Sequence, residues 1–169
     1  GPEPQGHYEV RFLRKGGGWA VSDFAPDKKT ALVAQYVSVT NVDISLLDLA
    51  TGKMTPVGDH AKDIAYGGGE FAPDGTLWVT SDEGSDFQRL GTLDTKTGAF
   101  TARGPKESWD VDAFDISPDG SFIVYNARVS GNQKLFRLDL DTKKKTQLTF
   151  GTNDETAAQV VNALASALR

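Results

Sequence analysis

At 169 residues, with 38% hydrophobic and 24% charged side chains, the chain has the make-up of one globular domain large enough to bury a core. Its formal charge of −5 disfavours phosphate backbones and anionic lipid surfaces, so nucleic acid is not expected as a partner; the lack of cysteine excludes a disulfide framework, a thiol nucleophile and cysteine-ligated zinc. No apolar run approaches the roughly 20 residues of a membrane-spanning helix, and no basic-then-apolar leader is present, so the expectation is a soluble protein, cytoplasmic or periplasmic, with no membrane partner.

Gly1-Pro2 reads as the remnant of a cleaved tag, and residues 1–6 are set aside as leader. Residues 7–14 alternate polar and apolar side chains, the period of a strand with one buried face, and end at Lys15-Gly16-Gly17-Gly18. With no partner of its own repeat, this stretch is expected to be an outer or closing strand.

The first repeat is predicted to hold strands over 19–24, 30–39, 43–49 and 54–57. Pro26-Asp27 supplies turn chemistry between the first two, since proline presets φ and aspartate bonds the backbone just beyond it. The second strand is rich in β-branched and aromatic residues. Thr51-Gly52 turns the chain into the fourth. The second repeat follows the same plan, with strands over 66–71, 76–81, 87–93 and 100–103, and Thr97-Gly98 where Thr51-Gly52 stood. The third has strands over 111–116, 122–127, 135–140 and 147–150, with Lys143-Lys144-Lys145 in its last hairpin as a solvated turn.

Two markers fix the period. Pro26, Pro73 and Pro118 are spaced by 47 and 45 residues, and Asp48, Asp94 and Asp139 by 46 and 45. That is the length of one four-stranded propeller blade. The reading is therefore an all-β partial β-propeller over 7–150, with blades at about 16–58, 63–104 and 108–150. After Phe150 the pattern breaks. Thr152-Asn153-Asp154-Glu155 has capping-box spacing, and Ala157, Val161 and Ala165 share a face with Val160, Leu164 and Leu168. Residues 151–169 are predicted to form an amphipathic helical tail, with a helix over 154–168; the alternative is the first strand of a further blade.

The phrase Phe/Ile-Ala/Ser-Pro-Asp-Gly followed by a β-rich strand and Leu-Asp-x-x-Thr-Gly resembles the propeller repeat of the TolB protein and of prolyl oligopeptidase-type serine peptidases. The similarity is densest at Gly18-Trp19-Ala20-Val21-Ser22-Asp23-Phe24-Ala25-Pro26-Asp27, at 80–90 and at Ser108-Trp109-Asp110-Val111, within about residues 16–150. The peptidases carry a catalytic α/β-hydrolase domain with a Gly-x-Ser-x-Gly elbow. This chain has no such elbow: Gly84-Ser85 and Gly120-Ser121 fall in predicted turns, and His7 and His60 precede both. No catalytic residue carries over. The resemblance implies a non-catalytic segment like the substrate-gating propeller of such a peptidase, or else a TolB-like protein-interaction module, with no cofactor.

Propellers have about four to eight blades. Three leave two sheet faces to be covered, by the tail helix, by further copies of the chain or by blades of a parent protein. Self-association is the preferred expectation, and a peptide or protein ligand the expected partner otherwise.

Three residues before each proline stands a carboxylate, Asp23, Glu70 and Asp115. On the innermost strands these could ring a channel and hold a cation or a substrate's amino terminus, or they could cap turns and pair with lysine or arginine of the adjacent blade. Asp82, Glu83 and Asp86 surround Gly84 in a calcium-like cluster that lacks EF-hand spacing, and a solvated loop is the simpler reading. Asp110 and Asp112 share a strand face, the spacing of an acid–base pair without a second motif. Gly67-Gly68-Gly69 is expected to let an inner strand pass close to its neighbours, and Trp19, Trp78 and Trp109 are expected between blades. No residue is assigned to metal, cofactor or catalysis.

Overall fold

A computed structural model describes residues 18–104 and 108–148. The leader expected over 1–6, the strand over 7–14 and the helical tail over 151–169 lie outside the described residues. Within them the regular structure is β throughout, in three four-stranded antiparallel sheets that each run in chain order. The first sheet comprises β1 (Trp19–Phe24), β2 (Thr30–Ser38), β3 (Asn41–Asp48) and β4 (Met54–Val57). The second has β5 (Tyr66–Phe71), β6 (Leu77–Ser81), β7 (Arg89–Leu93) and β8 (Phe100–Ala102); the third has β9 (Val111–Ile116), β10 (Phe122–Val129), β11 (Asn132–Asp139) and β12 (Lys145–Gln147). These are three propeller blades.

Period-2 patterning decides how the blades stack. On β6 every residue is buried, because its two faces meet different neighbours. Leu77 and Val79 join Leu32, Ile44 and Val57 of the first sheet in one core. Trp78 turns the other way and joins Ile116, Ile123, Tyr125, Phe136 and Leu138 of the third in another. Tyr125 and Phe136 stack within it, ring centroids 5.4 Å apart. Leu32, Trp78 and Val124 occupy the same register position, opposite Asp23, Glu70 and Asp115 on the innermost strands. Each blade thus has a face turned toward the next.

The repeated aspartates are turn hardware. Asp27, Asp74 and Asp119 accept main-chain N–H groups two residues on, from Lys29, Thr76 and Ser121, at 2.8, 2.9 and 3.0 Å. Asp48, Asp94 and Asp139 each accept two N–H groups in the hairpins leading to the fourth strands. These bonds favour the ionised carboxylate and hold all three below the usual range. Asp119, which also accepts from the Ser121 and Ser117 hydroxyls, is lowered to about 2.

Strand ends differ from expectation by one to three residues in several places, the largest being β11, which starts at Asn132 and not at 135. β7 starts at Arg89, not at 87, because the Phe87 and Gln88 N–H groups donate to Ser85 Oγ and Asp110 Oδ1 instead of to the ladder. β12 starts at Lys145, two residues early, so that only Lys143 and Lys144 remain in the turn; positions 149–150 of the expected strand lie outside the described residues.

Lys28 and Lys143 adopt φ of 59° and 60° where sister repeats place Gly75 and Gly120, or Gly52 and Gly98. The left-handed region costs a side-chain-bearing residue about 1–2 kcal/mol, partly offset by the roughly 0.5–1 kcal/mol entropic cost of glycine. Lys28→Gly and Lys143→Gly should each stabilise the fold by about 0.5–1 kcal/mol, read as a rise in the urea midpoint at unchanged m-value. A fall in midpoint would mean that the lysine side chains contribute more than their backbone strain costs.

Candidate functional site

The innermost strands β1, β5 and β9 stand side by side, and the three repeated carboxylates lie on them. In β1 a bulge between Val21 and Asp23 sets Asp23 opposite Leu32, on the face that meets the second sheet. Asp23 Oδ2 accepts the N–H of Phe71 at 2.8 Å, and its Oδ1 accepts the N–H of Phe24 at 2.8 Å. One blade on, Glu70 Oε1 accepts the N–H of Ile116 at 3.3 Å. The acidic residue of each blade therefore binds the main chain of the next, at the residue immediately after that blade's own carboxylate. Their partners are backbone amides, not the lysine or arginine anticipated as the plainer alternative. Asp115, in the same register position of the third blade, is exposed.

Glu70 and Asp115 also hydrogen-bond each other. Burial first, then the hydrogen bond to Asp115 and its charge, with a smaller push from Asp23, raise the Glu70 carboxyl to about 7; the Ile116 N–H acts the other way. Glu70 therefore holds its proton more tightly than an ordinary carboxyl at the seam between blades, because burial and a neighbouring carboxylate both penalise its charge.

The other acidic candidates are separated. Asp82 Oδ1 accepts the Ala65 N–H at 2.8 Å, the Glu83 carbonyl accepts from Arg89 Nη2 at 2.7 Å, and Asp86 is exposed. Asp110, just before β9, accepts from Gln88 N, and Asp112 within it accepts from Gln133 Nε2, so the two carboxylates serve different partners. Among the described residues no three His, Asp or Glu side chains converge as a metal ion requires.

Gly67 and Gly69 are spaces for neighbours: a Cβ on the first would strike Thr80 Oγ1, and on the second Leu32 Cδ2 of the first blade. Trp78 is buried between blades, whereas Trp109 is 36% exposed. Of the polar residues packed beside the start of β5, sequence reading singled out Asp82 and Glu83 but neither Tyr66 nor Gln88. There the buried Tyr66 hydroxyl is pushed up to about 12 by desolvation and by the nearby charge of Glu83, and Gln88 Nε2 donates to the Ala65 carbonyl at 2.8 Å. Both lie within the second repeat but away from the Pro-Asp and Leu-Asp markers that fix its period. Between the turns of the second and third blades lies a cleft of about 550 Å³, walled by Pro73, Asp74, Trp78, Asp119 and Leu140.

No protein-family model matches the chain. It is 29% identical over 152 residues to dipeptidyl-peptidase 5 of Porphyromonas gingivalis, a match covering 86% of this chain and 22% of that protein. The chain thus spans about a fifth of the length of the curated relative it matches. Among solved structures it is similar to a putative TolB from Agrobacterium tumefaciens (TM-score 0.67, 15% identity, 82% of this chain and 52% of that one). It is similar also to a prolyl endopeptidase (TM-score 0.63, 16% identity, 78% and 20%). The shared feature is the propeller fold.

Proposed function

We propose that this chain is a non-catalytic propeller segment, akin to the substrate-gating domain of prolyl oligopeptidase-type peptidases, which completes its ring by self-association. One observation carries the reading: each of the first two blades hands a carboxylate to the main chain of the next, and the corresponding residue of the third, Asp115, stands exposed. Such a segment acts by shape, admitting or excluding a peptide, and the chemistry of peptide cleavage belongs to a domain that would have to supply a nucleophile, base and oxyanion donors. Among the described residues Ser85 and Ser121 are turn residues: the Ser85 hydroxyl accepts the Phe87 N–H, and the Ser121 hydroxyl donates to Asp119 at 2.7 Å. Neither is paired with a histidine.

Incubation with a fluorophosphonate serine probe and with a chromogenic prolyl peptide should give no label and no turnover. Covalent labelling of Ser85 or Ser121 would overturn the non-catalytic assignment. The larger share of the TolB neighbour that the chain covers, 52%, favours a protein-interaction module as the second reading.

A further inference from the structure

We propose that the cleft between the second and third blades binds an arginine side chain of a peptide or protein partner, with its aliphatic stem against Pro73, Trp78 and Leu140 and its guanidinium among Asp74, Asp119 and Asp141. The inference goes beyond the gating role proposed above and does not depend on how the ring is completed, because both blades that wall the cleft are present in this chain.

The shape of the cleft comes from the seam. Its volume of about 550 Å³ lies within the roughly 300–1,000 Å³ of ligand sites. The β5–β6 and β9–β10 turns close on each other here, and a Cβ on Gly120 would stand 3.2 Å from Pro73 Cδ. On the third blade the Leu140 N–H donates to the Ser121 carbonyl at 3.0 Å, which ties the hairpin carrying Asp141 to the turn carrying Asp119. Pro73, Trp78 and Leu140 make the apolar part of the wall. Such a wall suits a side chain that carries its charge on a hydrocarbon stem.

The rest of the lining supplies the opposite charge. Asp74 Oδ1 accepts the Thr76 N–H, and Asp119 Oδ1 accepts the Ser121 N–H and the hydroxyls of Ser117 and Ser121. These bonds hold both carboxyls below the usual range and leave Oδ2 of each for a ligand. No ion pair among the described residues engages Asp74, Asp119 or Asp141. Lys143 and Lys144 follow in the same hairpin as Asp141 without pairing with it. The repeat does not demand this arrangement. At the first seam the corresponding positions are Asp27, Asp74 and Lys96, so a cation stands there in place of Asp141. The second seam thus combines an apolar wall with three carboxylates that lack a cation of their own, the complement of a positive charge on an apolar stem. Arginine fits better than lysine, because its planar fork donates to two carboxylates at once and lies flat against proline or indole.

The test is a titration of the ¹⁵N-labelled 169-residue chain with N-acetyl-arginine amide at low ionic strength, followed by amide chemical shifts. Saturable shifts should be confined to residues 73–78, 119–121 and 140–141. N-acetyl-citrulline amide, which keeps the shape and loses the charge, should bind about tenfold more weakly or worse, as for loss of charge-assisted hydrogen bonds. N-acetyl-lysine amide should fall between the two. Asp141→Asn should weaken arginine binding by about tenfold, whereas Asp86→Asn, which removes equal charge from an exposed loop, should leave it within about twofold. Shifts centred elsewhere, or none at tens of millimolar ligand, would overturn the site. Equal binding of citrulline or lysine would overturn its selectivity for arginine, and equal weakening by Asp86→Asn would reduce it to the field of an acidic protein.

Discussion

Trp78→Ala should lower the free energy of unfolding by about 3–5 kcal/mol, the usual loss for truncating a buried tryptophan. The indole is 7% exposed and packs with Val111, Ile116, Ile123, Tyr125, Phe136 and Leu138, which all belong to the third blade. Little else on the second blade faces that way: Ala72 is small, and Leu90 is the other buried side chain of the second blade in this core. The ring cannot be replaced by collapse, because the blades are also tied through their inner strands at Glu70 and Ile116. Typical domains are stable by only 5–15 kcal/mol, so the variant stands close to unfolding at ambient temperature. Hydrogen exchange should quicken first in β9–β12, since blades stacked in series are stabilised by their neighbours and open from a weakened seam. Trp109→Ala, at a 36% exposed position, supplies the contrast and should cost less than about 1 kcal/mol. Equal losses at the two tryptophans, or uniform exchange across the blades, would refute the assignment of Trp78 as the anchor of the second seam.

The same residue shows how far the sequence could be read. The proline and aspartate periods locate the strands closely, and 19–24, 54–57, 66–71 and 111–116 coincide with β1, β4, β5 and β9. Those markers are local chemistry, set by turn dihedrals and by aspartates bonding the next few amides, and local chemistry is legible in one dimension. The late start of β7 has a partly non-local cause: Gln88 is drawn off its ladder by Asp110, 22 positions away. The carboxylate series was visible as a period, but its role was not. Whether Asp23 faces a channel, a turn or a neighbour depends on a single bulge at Ser22, which shifts the pairing of β1 with β2 by one residue and so decides which face carries the side chain. Nothing in the residue types around Ser22 announces that bulge. Near Tyr66 the carboxylates Asp82 and Glu83 were visible as a local run, but their packing against Tyr66 was not, since β5 and the segment between β6 and β7 share no spacing.

At pH 8 Glu70→Gln should stabilise the protein by about 1–2 kcal/mol, and at pH 5 the variant should match the parent to within a few tenths. In the fold the Glu70 carboxyl titrates near 7, against 4.5 for the unperturbed group, chiefly because burial penalises its charge and then because Asp115 bonds and repels it. The folded state therefore holds this proton more tightly than the unfolded chain. The stabilising contribution is complete below about pH 4.5, is lost as pH rises through about 7, and changes no further above that. The full shift corresponds to about 3 kcal/mol at 1.36 kcal/mol per unit, and the half-exposed setting of Glu70 screens part of it. Glutamine keeps what the protonated acid provides: a carbonyl oxygen for the Ile116 N–H and a donor for the Asp115 carboxylate, with no charge to desolvate or to face Asp23 and Asp115. Urea titrations of both proteins at intervals from pH 5 to pH 8 isolate this effect, because the remaining groups are common to both and cancel in the difference. The difference curve should climb with a midpoint between 4.5 and 7. A flat difference would mean that Glu70 and Asp115 are held apart in solution, and a falling one that the ionised Glu70 is needed to bind Ile116; either would refute a raised Glu70 carboxyl at the seam.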